Sequence, residues 1–83
     1  MSTSMGLTPG QQYRVTQPFL DFDRQQHPIG ETWTFITTNF LPYDDGLTLH
    51  VLRNGLPAVY RLQWRPEEQA NIIENFLTYV EPC

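Results

Sequence analysis

The stretch LTLHVLRNGLPAVYRLQW, Leu47 to Trp64, decides how the rest of the chain is read. Asn54-Gly55 at its centre is the strongest short signal for a β-hairpin. A two-residue turn there sets Arg53 opposite Leu56, Val51 opposite Ala58, Leu49 opposite Tyr60 and Leu47 opposite Leu62. In-facing residues then meet in-facing residues along both strands, expected over Leu47–Leu52 and Ala58–Trp64. Pro57 falls opposite Leu52 at a non-hydrogen-bonded pair, where its missing N–H costs nothing. His50 points to the other face, across from Val59, with Thr48 across from Arg61.

Upstream, ETWTFITTNF (Glu31–Phe40) carries Thr, Trp, Phe and Ile, the densest β-forming run of the chain. At about 3.3 Å per residue it would reach roughly 30 Å, long enough in a small domain to call for a bend. Tyr13, Val15 and Phe19 alternate on one face of an earlier strand, Tyr13–Phe19. Downstream, PEEQANIIENFLTYV (Pro66–Val80) reads as a helix. Pro66 suits its first position, Glu67 and Glu68 complement the positive end of the dipole, and Ala70, Ile73, Phe76, Leu77 and Val80 form its apolar stripe. Pro82 marks its end.

These elements predict an α+β domain: a four-stranded antiparallel, strongly curled sheet or SH3-like small barrel with one C-terminal helix. Residues 1–11 are expected as a flexible tail and 12–83 as a single small domain. The expected core is Tyr13, Val15, Trp33, Phe35, Leu47, Leu49, Val51, Tyr60, Leu62, Trp64, Ile73, Phe76 and Leu77. At 83 residues, such a chain buries roughly 60–65% of its unfolded surface, a thin margin for stability.

Charge narrows the function. Nine acidic residues face five basic ones, all arginine, for a net charge of −4. A phosphate-binding domain needs a basic stripe, and five dispersed arginines supply none, so nucleic acid is excluded as a partner. The N-terminus lacks the basic and apolar regions of a signal peptide, and no apolar run approaches the ~20 residues that span a bilayer. A soluble cytoplasmic protein without membrane contact is expected, either monomeric or a weak homo-oligomer with Ile36, Leu52 and Val59 as its face.

Catalytic residues do not present themselves. Ser2 and Ser4 lie in the tail and Cys83 is terminal, so His50 has no nucleophile to serve. No glycine-rich phosphate loop is present, and no cofactor is implied. The segment DFDRQQHPIGE gathers Asp21, Asp23, His27 and Glu31, which offer hard oxygens and one imidazole to a divalent ion. The spacing matches no standard metal loop, and the same residues serve a plain loop: Asp21 and Asp23 cap it, His27-Pro28 shapes it, and Gly30 returns the chain to the sheet. Asp44 and Asp45 are expected at the opposite end of the second strand, too far for a paired-carboxylate hydrolase. Arg53 stands at the first loop's end and Arg14 and Arg65 at the other, as ion-pair partners.

What remains is aromatic. Phe22 in LDFD and Phe40 and Tyr43 in FLPYDD sit in loops beside carboxylates and proline. Phe22 and Tyr43, with Asp23, Asp44 and Asp45, suit an apolar and basic protein or peptide partner. A non-enzymatic interaction module leads, an inhibitor or immunity-like protein being one version. The alternative is a small metal-binding protein or metal-dependent enzyme built on Asp21–Glu31.

Two resemblances accompany these residues. FLDFD followed by GETWTF is similar to the stretches that flank the first long loop of SH3 domains, and implies a small barrel. The tryptophan pair and proline–tyrosine turn of those domains are absent, so their peptide groove does not carry over. The run from GQQYRV through F-x-DFD, HPIGETWTF, NFLPYDDGLTL and RLQWRPEEQANII resembles a small bacterial family of uncharacterised proteins, domain-of-unknown-function family 3601. That resemblance implies a bacterial, soluble, stand-alone domain and brings no activity or site residues.

Overall fold

A computed structural model describes residues 5–41, 46–65, 67 and 69–83. Asn54 and Gly55 both adopt positive φ, 55° and 79°, as a type I′ turn requires. They join β5 (Gly46–Arg53) to β6 (Leu56–Gln63) in the expected register, Arg53 to Leu56 through Leu47 to Leu62. Leu47, Leu49 and Val51 face Leu62, Tyr60 and Ala58; all but the half-buried Ala58 are buried.

β4 (Thr32–Leu41) pairs antiparallel with β5, and a register shift between Phe35 and Thr37 marks a bulge at Ile36. One extra residue bends a strand locally, which answers the length problem without closing the sheet. β1 (Gln12–Val15) adds to β4, and β7 (Val80–Pro82) adds to β1. The five strands run in the order β6-β5-β4-β1-β7. A second sheet consists of β2 (Phe19–Leu20) and β3 (Gln26–His27).

The expected α+β fold, a four-stranded, strongly curled sheet or SH3-like barrel with a C-terminal helix, is therefore corrected. The main sheet has five strands and two open edges, β6 and β7, and the chain is mostly β. The helix shrinks to α1 (Ala70–Glu74), followed by a 3₁₀ turn, Phe76–Thr78, and then β7. Asparagine chemistry ends it. The Asn75 N–H is shared between the carbonyls of Asn71 and Ile72, and Asn75 Nδ2 also donates to the Asn71 carbonyl at 2.8 Å. Such side chains compete with helical hydrogen bonds, and a helix this short has little propensity to resist them. Val80 instead pairs with Val15, and Pro82 sits in the outer strand β7, where a proline is tolerated.

The break changes the stripe. Ile73 and Phe76 are buried as expected, but Leu77 is 57% exposed, because a 3₁₀ turn advances faster per residue than an α-helix. Trp64 is half-buried, packed edge-on against Phe40 and donating from Nε1 to Glu74 Oε2 at 3.1 Å. The other eleven expected core residues are buried, and Leu7, Phe19, Ala70 and Val80 join them. Leu7 lies within the segment expected as a tail. There the Thr8 N–H donates to the Tyr13 hydroxyl at 2.8 Å and the Gly10 N–H to the Phe35 carbonyl at 2.8 Å. Among the described residues, no helix is long and apolar enough to cross a membrane.

Candidate functional site

The segment DFDRQQHPIGE folds into the turn of the β2–β3 hairpin and the return to β4. Asp21 closes the turn: its Oδ1 accepts the Gln25 N–H at 2.9 Å and its carbonyl accepts the Arg24 N–H at 3.1 Å. Arg24 takes a positive φ of 65° to make this possible. Gly30, at φ 96°, brings the chain back towards the main sheet.

His27 lies between two carboxylates. Its Nε2 is 2.9 Å from Asp21 Oδ2 and its Nδ1 is 2.8 Å from Glu31 Oε1. All three side chains are 4% exposed or less. A neutral imidazole has one N–H and one lone pair, so it cannot donate to both oxygens. The imidazolium can. Burial pushes His27 down, but the hydrogen bonds to Glu31 and Asp21 and their charges outweigh it and raise the group above its ordinary 6.5. Phe19 stacks on the ring with centroids 4.7 Å apart, and Tyr60 meets it edge-on at 4.3 Å. The Tyr60 hydroxyl and Trp33 Nε1–H are buried without a hydrogen bond of ordinary geometry. Burial, followed by the charge of Glu31, raises the Tyr60 phenol, and Arg53 opposes them.

Asp23 parts company with Asp21. It receives two hydrogen bonds from Arg61, at 3.0 and 2.7 Å, and the first of these effects, hydrogen bonding, lowers its pKa. Its partner is therefore Arg61 rather than Arg53, while Arg14 pairs with Glu81. The Phe22 N–H donates to the Arg61 carbonyl at 2.7 Å, so the loop folds across the edge of β6. Phe22 then shares a small cleft with Gly46, Thr48 and Gln63. Tyr43, Asp44 and Asp45 lie outside the described residues.

Of the metal alternative, the fold unites Asp21, His27 and Glu31 and sends Asp23 elsewhere. The two carboxylates approach opposite ring nitrogens, a geometry that cannot converge on one ion. Among the described residues, no group of three or more His, Cys, Asp or Glu is arranged to hold a metal. His50 points away from the core and its Nε2 lies 3.0 Å from Asn39 Nδ2.

Above the triad the hairpin carries two exposed apolar side chains beside polar ones. Leu20 is 47% and Phe22 46% exposed. With Arg24, Glu67 and Gln69 they line a groove of about 580 Å³, and a neighbouring hollow of about 420 Å³ runs past Leu20 to Pro18 and Ile72. The burial of the triad escaped sequence reasoning. A detectable signal existed in the i, i+4 spacing of His27 and Glu31 beside an aromatic strand, but loop composition pointed to solvent.

The family described as domain of unknown function DUF3601 matches residues 4–82. The chain belongs to the DUF3601 family. This DUF3601 chain is also similar to a solved integron cassette protein from the mobile metagenome of Vibrio cholerae. The two are 31% identical over 100% of this chain and 92% of that one, with a TM-score of 0.94. No curated protein matches the sequence.

Proposed function

We propose that this DUF3601 domain is a non-enzymatic protein- or peptide-interaction module that presents Leu20 and Phe22 from the β2–β3 hairpin. The observation that carries the reading is an exposed aromatic on a loop fixed at several points. The Phe22 amide is tied to β6, Asp23 is clamped by Arg61, and Asp21 is anchored beneath by His27. A preorganised apolar anchor loses little conformational freedom on binding, which favours it as a contact point. Tyr43, Asp44 and Asp45 precede Gly46, which lines the Phe22 cleft, and they stay in the proposed surface on sequence grounds. A partner with apolar and basic features suits such residues.

Affinity capture from bacterial lysate tests this, with wild type beside Phe22→Ala and Tyr43→Ala variants of unchanged melting temperature. A protein retained by wild type and lost with Phe22→Ala is the expected result. Equal retention by wild type and both variants would refute the assignment of this surface.

A further inference from the structure

The Asp21–His27–Glu31 triad links the β2–β3 hairpin to the segment that leads into the main sheet. Asp21 and His27 belong to the β2–β3 hairpin, which has two residue pairs, Phe19 with His27 and Leu20 with Gln26. Glu31 directly precedes β4 in the main sheet. The hairpin's ties to β6, from Phe22 and Asp23 to Arg61, lie at the exposed edge. β4, β5 and β6 are instead joined by long ladders.

We propose that the triad is a proton-operated latch: protonated, it closes the β2–β3 hairpin onto the main sheet, and loss of its proton opens residues 20–27 while β4, β5 and β6 stay folded. The charges are simple. With the imidazolium, the buried cluster carries −1. Release of one proton to solvent leaves −2, and one ring lone pair then faces a carboxylate oxygen. The two rings packed on His27 carry no charge. Phe19 packs on one side, and Tyr60, a neutral phenol, meets the ring edge-on. Of the nearby cations, Arg53 acts on Tyr60, and Arg61, bound to Asp23, also feels the charge of Asp21; neither contributes to the shift of His27. A buried uncompensated charge is relieved by hydration, and a hairpin of two residue pairs has little ladder of its own to hold water out. The latch stands whether or not Phe22 meets a partner.

Amide hydrogen exchange followed by NMR from pH 6 to 9, corrected for intrinsic rates, tests it on the whole chain. The reporters are the amides of Asp21, Phe22 and Gln25, all hydrogen-bonded in the closed hairpin. Their opening equilibrium should rise by up to about tenfold per pH unit above 6.5, until the folded His27 has titrated. Amides of Leu49 and Val51 should not follow. Hairpin opening that is flat with pH, or that rises in step with Leu49 and Val51, overturns the latch. In His27→Gln the pH dependence should vanish; its persistence there also overturns the latch. Should that variant not fold, the ring ¹⁵N shifts of the wild type decide: both nitrogens protonated at pH 7 is expected, and a neutral tautomer refutes the mechanism.

Discussion

The β5–β6 hairpin joins eight residue pairs across Asn54-Gly55, whereas β2–β3 joins two across a turn closed by Asp21. The first is secured by turn geometry and by alternating Leu, Val and Tyr side chains. The second relies on a buried imidazolium between two carboxylates. Apolar burial is non-directional and indifferent to pH, while a buried charge cluster is directional and conditional on one proton. The same chain therefore contains a hairpin that tolerates its surroundings and one that depends on them.

That contrast is sharpest at His27. Replacement by alanine leaves Asp21 and Glu31 buried without their cation and should cost about 3–5 kcal/mol in urea unfolding. A cost close to zero would mean that the carboxylates are hydrated, and the comparison would collapse. The pH response follows from the raised folded-state pKa of His27. The stabilisation is fully present below the ordinary 6.5 and is lost as pH rises through the folded-state value. The urea midpoint should fall over that window in wild type and not in His27→Gln.

On the other hairpin, Gly55→Ala forces a Cβ into the left-handed region and should cost about 1–2 kcal/mol, with no change in the pH profile. A Cβ at Gly55 meets nothing within 4 Å, so any loss reports backbone conformation rather than a clash. The smallest effect is expected for Phe22→Ala, about 0.5 kcal/mol, because the ring is largely outside the core. A loss of several kcal/mol would make Phe22 a packing residue and remove it from the proposed binding surface.

Legibility in the sequence follows the same division. The β5–β6 register was readable because turn chemistry and side-chain alternation are both local and agree. The burial of Trp33, Phe35, Ile73 and Phe76 followed from pattern alone. The extra strand was not readable, since Val80 fits a helical stripe as well as it fits a partner for Val15, and tertiary pairing with β1 decided between them. Nothing in the apolar stripe marks Asn71 and Asn75 as the residues that end α1. The candidate site was half legible. Its segment and residue types stood out, but Asp21 and Asp23, two positions apart, have opposite fates that depend on which neighbour each meets. Only the fold brings Glu31 to the far nitrogen of His27 and Arg61 to Asp23.

The two outer strands of the main sheet have one more consequence, for self-association. Pro57 in β6 pairs with Leu52 and Pro82 in β7 pairs with Tyr13. Both occupy positions whose backbone nitrogen faces away from the sheet, where an incoming strand would seek a donor. Further along β6, the Arg61 carbonyl is taken by the Phe22 amide. Gln63 is covered in both directions: its N–H meets Gln69 Oε1 at 2.9 Å and its carbonyl accepts the Gln69 N–H at 3.0 Å. The loop that displays Phe22 thus also caps a sticky edge, so a hairpin that swung open would uncover a template for β-aggregation along β6.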